Sequence, residues 1–431
     1  MSAIPSEPHA FQAFAAPAVP RSSLTVYGWL LFAIGFSLFA SGRDWGRFRF
    51  GGLLVHPYLI VIGMTFPLLW LSRLQLIPVR LTLGLLAFAG LYFASTFAGG
   101  VAVSEGVKIG ASVVTILTVA LLVRNWNDFV AGAFGMCMAV AALAVTGMNL
   151  NLAPGEYGGT IEAIENANRN AFSLYALPPF LLGGFALLNG RRDALVTKTL
   201  LAIALVAVAL AICVNVNRSG WLGLALVVVL LTYDKSLKAA AIFGIIGGVV
   251  GWLVVSYFGV GAAEERITAT RSGLQSDATR GQLILIAFQV GLENPMLGVS
   301  AENLSFELAK RLGFSSGQIE THNVFAHLAG GSGFVCLMLM IYCGINLWRF
   351  AIPAWAPPRA VAALVKSRML LRFLLILWVV RGMFSHEIIY SPSFNMALGL
   401  CLGWCLSSMP SRQMRRRAGT TYRSQPEPLL S

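Results

Sequence analysis

Residues 262–333 read AAEERITATRSGLQSDATRGQLILIAFQVGLENPMLGVSAENLSFELAKRLGFSSGQIETHNVFAHLAGGSG. The stretch carries charges of both signs, turn residues such as Asn294-Pro295, and a histidine, His322, just ahead of the next apolar run. Long apolar runs flank it on both sides. The flanks therefore read as a scaffold, and this polar stretch as what the scaffold presents. A chain this apolar that gathers its polar residues in one place uses them there.

Of the 431 residues, 57% are hydrophobic and 11% charged, with mean hydropathy +0.74. Soluble domains average about 25% charged residues. Repeated apolar runs of roughly 17–20 residues are membrane spans. The fold class is an all-α polytopic membrane protein, not a string of soluble domains. Cys137, Cys213, Cys336, Cys343, Cys401 and Cys405 all fall within apolar runs, where cysteine behaves as a small hydrophobe. No CxxC pair or Cys/His spacing suggests a metal site, and no cofactor is implied. The net charge of +13 lies mostly in short loops and tails. That is the signature of membrane orientation rather than of nucleic-acid binding, so no nucleic-acid partner is expected.

Residues 1–23 read as a polar tail. Twelve apolar runs follow, near 24–41, 53–71, 81–99, 107–123, 129–147, 171–189, 199–214, 221–232, 239–258, 322–348, 370–385 and 391–409. The chain divides into nine spans over 24–258, a large loop over 259–321, three spans over 322–409, and a basic tail over 410–431. With both termini inside, the inner loops and tails hold 19 basic and five acidic residues, and the outer segments 12 and 13, as the positive-inside rule requires. Arg43, Arg47 and Arg49 in the first outer loop run against it. Two loops, 148–170 and 259–321, are long and outer, which in a bacterial inner membrane means periplasmic. In the ninth run, the Gly244/Gly248 and Gly247/Gly251 spacings permit close helix packing.

The large loop is itself helical. Asp277 is placed to cap a helix from about Ala278 to Leu292. Arg280, Leu283, Ile284 and Ala287 would share one face of it. That stripe predicts a helix lying on the bilayer surface. Asn294-Pro295 stops it, and a second amphipathic helix runs from about Ala301 to Leu312.

Several chemistries are missing. The sequence has no P-loop, no HExxH, no nucleophile elbow and no paired aspartates for a divalent metal. The spans hold almost no acidic residues, which disfavours an ion-coupled transporter. A transporter or flippase for lipid-linked glycans remains the rival class; it predicts a cation-lined path and pseudo-symmetric halves, and no repeat is visible. A non-catalytic membrane assembly partner is the third reading, and it would tolerate Arg218→Ala and His322→Ala. What stands out is a set of cations at the outer face. Arg218, in NVNRSGW, sits in a short outer turn, where an arginine near membrane depth costs roughly 2.5–3.5 kcal/mol without a partner. Arg280 lies on the loop helix, and either could instead snorkel to headgroups. His322 and Asn323 would occupy the first turn of a helix capped by Thr321, an end that attracts anions. His327 lies about 140° around that helix from His322 and reads as packed. Arg381, in LWVVRGMFSHEIIY, either pairs with Glu387 or joins the anion site. Arginine is the bidentate partner of phosphate, so the ligand implied is a phosphate at headgroup depth, carried by a lipid.

At these residues the chain resembles the O-antigen ligase and polymerase superfamily of bacterial envelope glycan enzymes. The resemblance rests on RSGW at 218–221, the long loop after it, Arg280, NPMLGVSAENL at 294–304 and THNVFAHLAGGSGF at 321–334. It covers about 210–345 and implies a GT-C-like fold. It further implies transfer of a glycan from an undecaprenyl-diphosphate carrier to an acceptor hydroxyl on the periplasmic side. The acceptor would be a lipid A-core sugar in a ligase, or a second carrier-linked repeat in a polymerase of lipopolysaccharide or exopolysaccharide. By the same resemblance Arg218 and Arg280 would bind the diphosphate and His322 would contact the reacting centre. The residues themselves add Asn323 and Arg381 as candidate substrate contacts, with no metal ligands beside them.

Overall fold

The computed structural model describes residues 25–42, 48–50, 53–73, 76–100, 104–147, 169–190, 195–214, 218–233, 247, 274–313, 319–350 and 358–409. The described chain is helical apart from one short antiparallel hairpin. It begins with α1 (Val26–Phe36) and α2 (Leu38–Gly42), followed by strands β1 (Phe48–Phe50) and β2 (Leu53–Val55). The strands pair with Phe48 opposite Val55 and Phe50 opposite Leu53. Next come α3 (Pro57–Arg73), α4 (Val79–Ala98), α5 (Ser104–Leu122), α6 (Trp126–Gly147), α7 (Arg169–Asn189), α8 (Leu195–Val214) and α9 (Arg218–Thr232). The loop region supplies α10 (Leu274–Glu293) and α11 (Ala301–Arg311). Then α12 (Val324–His327) passes through a π-helical turn, Leu328–Ser332, into α13 (Gly333–Trp348). Last are α14 (Pro358–Gly382), a 3-10 turn over His386–Tyr390, and α15 (Pro392–Ser407).

Among the described residues, six helical runs are long and apolar enough to cross a membrane: α4 to α8, and the continuous stretch Val324–Trp348. Helices α1, α3 and α9 are apolar but shorter. Helices stand at eleven of the twelve apolar runs read from sequence. The run at 239–258, apart from Gly247, lies outside the described residues, as do the tails 1–23 and 410–431 and the loop segments 148–168 and 259–273.

Two boundaries differ from the sequence reading. The second run begins as a strand at Leu53, and its helix starts only at Pro57. Proline suits a helix's first position because the N–H it lacks would have no partner there. Helix α14 starts near 358, not 370. Lys366, Arg368 and Arg372 break the apolar run without breaking the helix, because long unbranched cations are good helix formers.

Close packing is set by glycine where helices meet backbone to backbone. A Cβ at Gly35 of α1 would stand 2.8 Å from the Gly132 carbonyl oxygen of α6. One at Gly403 of α15 would stand 2.5 Å from the Ala120 carbonyl oxygen of α5. These are the close approaches expected of small residues in lipid-embedded bundles. A ring cluster of Trp126, Phe129, Phe185 and Trp404 ties α6, α7 and α15 together, with Trp126 and Trp404 centroids 4.6 Å apart.

Candidate functional site

The site is built at one end of the bundle, around the start of α12. Sequence reasoning put the N-cap at Thr321. In the structure Asn323 is the cap: its side-chain oxygen accepts from the backbone N–H of Phe325 and Ala326, both at 3.0 Å. His322 therefore stands ahead of the helix, not in its first turn. It takes a left-handed backbone conformation, φ 47°, which a residue with a Cβ adopts only where the surroundings hold it. Thr321 supplies part of that hold, with its hydroxyl 3.2 Å from the Asn323 carbonyl oxygen. The Asn323 amide nitrogen lies 3.5 Å from the Met383 carbonyl oxygen at the end of α14. With its oxygen committed to the cap, Asn323 acts first as a support for His322.

The loop helices dock on the π-turn. A π-turn carries one residue more than an α-helical turn and leaves carbonyls without helical partners. Here those carbonyls accept from the loop and from α4. Val299 N–H donates to Gly330 O (3.1 Å), Ser300 N–H to Gly331 O (2.8 Å), and the Ser95 hydroxyl to Gly331 O (3.0 Å) and Leu297 O (2.5 Å). Gly298 reaches this approach at φ 63°, where any Cβ would collide with the Gly331 backbone. The sequence NPMLGVSAENL thus forms a main-chain clasp.

Helix α10 starts at Leu274, earlier than the cap expected at Asp277. Its apolar stripe does not face the bilayer as predicted. Leu283, Ala287 and Val290 are buried against Leu304, Leu308 and Ala326, so the stripe is consumed in protein packing with α11 and α12. Arg311 secures the far ends, donating to Glu293 (3.0 Å) and to Glu307 (2.8 Å). The Arg311 hydrogen bond holds the Glu293 carboxyl below its ordinary pKa.

This docking brings Arg280 and His322 together. Arg280 is exposed at the start of α10, and its positive charge reaches the His322 imidazole. Burial lowers the His322 pKa first, and Arg280 lowers it further, while Glu320 acts in the opposite direction. The His322 side chain remains 35% exposed, so it is reachable from outside the bundle. Its Nδ1 lies 3.8 Å from Glu320 Oε2.

Two neighbours escaped the sequence reading. His386, from the 3-10 turn between α14 and α15, places its ring 6.5 Å from that of His322. Glu320, His322 and His386 each offer one ligand-type atom, all within 4.8 Å of one another. The expectation of no metal site rested on Cys/His spacing along the chain, and this cluster is assembled across it. His386 is also stacked on His327 at 4.5 Å, and His327 is buried, as its packed reading anticipated. The turn carrying His386 is pinned at Tyr390, whose hydroxyl is hydrogen bonded to that of Tyr92, both within 3.5 Å of Glu105 Oε2.

Arg381 is fully buried, and its Nη2 donates to the Ser173 hydroxyl of α7 at 2.8 Å. Among the described residues its Nε and Nη1 have no partner, and it does not pair with Glu387. Its Cδ lies 3.4 Å from where a Cβ on Gly223 of α9 would stand. That places it one to two turns from the start of α9, where the backbone of Arg218 opens the helix. The Arg218 side chain, and Arg266 and Arg271, lie outside the described residues.

Residues 203–341 match the family model described as O-antigen ligase. The match includes Arg218, Arg280, His322 and the clasp, and leaves out Arg381 and His386. No curated protein matches the chain.

Proposed function

We propose that this chain, with its O-antigen ligase domain at residues 203–341 set in a helical membrane scaffold, is a metal-independent periplasmic glycosyltransferase. It would move a glycan from an undecaprenyl-diphosphate carrier to an acceptor hydroxyl in the bacterial inner membrane, with both termini cytoplasmic. The observation that carries this reading is the convergence of Arg280 and His322, far apart in the chain, at the solvent-reachable start of α12.

The chemistry follows from charge. The acceptor oxygen attacks the anomeric carbon, the bond from that carbon to the diphosphate oxygen breaks, and its electron pair leaves with the carrier diphosphate. Negative charge grows on phosphate oxygens as this happens. A guanidinium placed against those oxygens stabilises that charge more in the transition state than in the ground state. Arg280, exposed and able to meet the carrier diphosphate, has that role here, with Arg218 as its partner. Arg381, with two N–H directions unsatisfied, underlies the site as a reserve of positive charge. The acceptor proton passes to His322. Its lowered pKa keeps the imidazole neutral and able to accept at neutral pH. With Nδ1 toward Glu320, Nε2 is the nitrogen that receives the proton. Asn323 positions His322 through the cap. Attack opposite the leaving diphosphate inverts the anomeric centre.

The acceptor is a lipid A-core sugar or a second carrier-linked repeat. Deleting the gene and separating surface glycans on a gel tests the assignment. Lipid A-core without long chains, with carrier-linked polymer accumulating, identifies a ligase. Single repeats or a missing exopolysaccharide identify a polymerase. An unchanged glycan profile would sink the proposal.

A further inference from the structure

Glu320, His322 and His386 come from two segments on either side of α12–α14, and each contributes one donor atom to a space no wider than 4.8 Å. Two imidazoles and a carboxylate are a ligand set for zinc-class dications, with bonds of about 2.0–2.2 Å and a tetrahedral donor separation of roughly 3.3 Å. The His322–Glu320 pair, at 3.8 Å, is already near that spacing. Glu320 is exposed on a loop and has room to close the remainder. A second observation points the same way: among the described residues His386 Nδ1 is buried without a hydrogen-bond partner, an arrangement that costs free energy unless something else occupies it.

The geometry points to a transition-metal site, Glu320–His322–His386, whose occupation by a zinc-class dication switches transfer off. A metal bound to one imidazole nitrogen leaves the other as an N–H donor, so a metal-bound His322 has no lone pair for the acceptor proton. The cation also alters the charge balance beside Arg280. The inhibitory sense rests on the role of His322 proposed above, whereas the binding itself does not.

The full-length protein in detergent, titrated with Co2+ and Zn2+, tests both. Co2+ should develop the ligand-field absorption of a four-coordinate site, and Zn2+ should displace it. Micromolar-range Zn2+ should inhibit transfer, and a chelator should restore it. His386→Ala and Glu320→Gln should each weaken metal binding and zinc inhibition at least about tenfold, and His386→Ala should retain metal-free transfer. Glu320→Gln guards against a folding defect, since Glu320 is exposed. Equal metal binding in wild type and both variants would overturn the site. Zinc inhibition unchanged in the variants, or transfer abolished by the chelator, would overturn the switch. Absence of transfer in wild type alongside intact Co2+ binding would instead break the functional reading.

Discussion

The two ends of the helical bundle treat charge differently. At the end away from His322 the cations are mostly matched. Arg73 donates to the Leu121 carbonyl oxygen at 3.2 Å, Arg124 lies 3.4 Å over the Tyr27 ring, and Arg372 donates to the Trp348 carbonyl oxygen at 3.3 Å. Asp128 accepts from the Thr25 hydroxyl and the Arg124 backbone N–H. Arg368, with an unpartnered Nε, is the exception. At the His322 end, Arg381 keeps two unpartnered nitrogens, His327 and His386 one each, and His322 sits in a left-handed conformation. Unsatisfied buried polar groups and strained backbone each lower stability. That imbalance fits the ligand site proposed at the His322 end.

The widest test of that contrast compares substitutions at the two ends. His322→Ala should lower transfer about 10²–10⁴-fold, and Arg280→Ala about 10²–10³-fold. Arg124→Ala, measured in the same assay, should stay within about twofold. Comparable losses at both ends would erase the distinction. Arg381→Met comes next. If the buried guanidinium serves an anion, the variant should lose about tenfold or more in transfer while thermal stability holds or rises, because an unpaired buried charge has been replaced by an apolar side chain. A fall in stability with transfer retained would make Arg381 structural.

The clasp supplies a smaller effect of a different kind. Gly298→Ala should destabilise loop docking by about 1–3 kcal/mol, seen as faster proteolysis within 274–313 and reduced transfer. Unchanged proteolysis would mean the loop is held elsewhere. The finest test is the pH profile. Since the His322 pKa is lowered in the fold, the neutral base persists below its ordinary value near 6.5. Transfer should therefore decline only as pH falls through a point below that value. Arg280→Gln removes a positive neighbour and should move this acid limb upward. Glu320→Gln removes a negative one and should move it downward.

The scaffold was largely legible from the sequence, because apolar runs of span length have few other readings. Arg280 and His322 stand out in the sequence as candidates, since each contrasts with its surroundings and both belong to the quoted loop. The direction of the α10 stripe was not. Leu283 and Ala287 are equally suited to lipid and to protein, and only the partner stripe on α11 decides between them. His386 was hidden for another reason. It lies 64 residues beyond His322, and no spacing rule links a loop before one helix to a corner after another. Its one signal was HE between two apolar runs, on the same side of the bundle as His322. The hairpin at 48–55 was masked by the apolar character of Leu53, Leu54 and Val55, which extends the following run without belonging to its helix.

The π-turn at Leu328–Ser332 has a mechanical corollary. One surplus residue in a helix offsets everything before it by about 100°. The segment from Gly333 onward can thus hold its alignment among its neighbours while the tip bearing His322 is swivelled independently. Excising a single residue from LAGGS would leave the rod intact and aim the imidazole at a different wall.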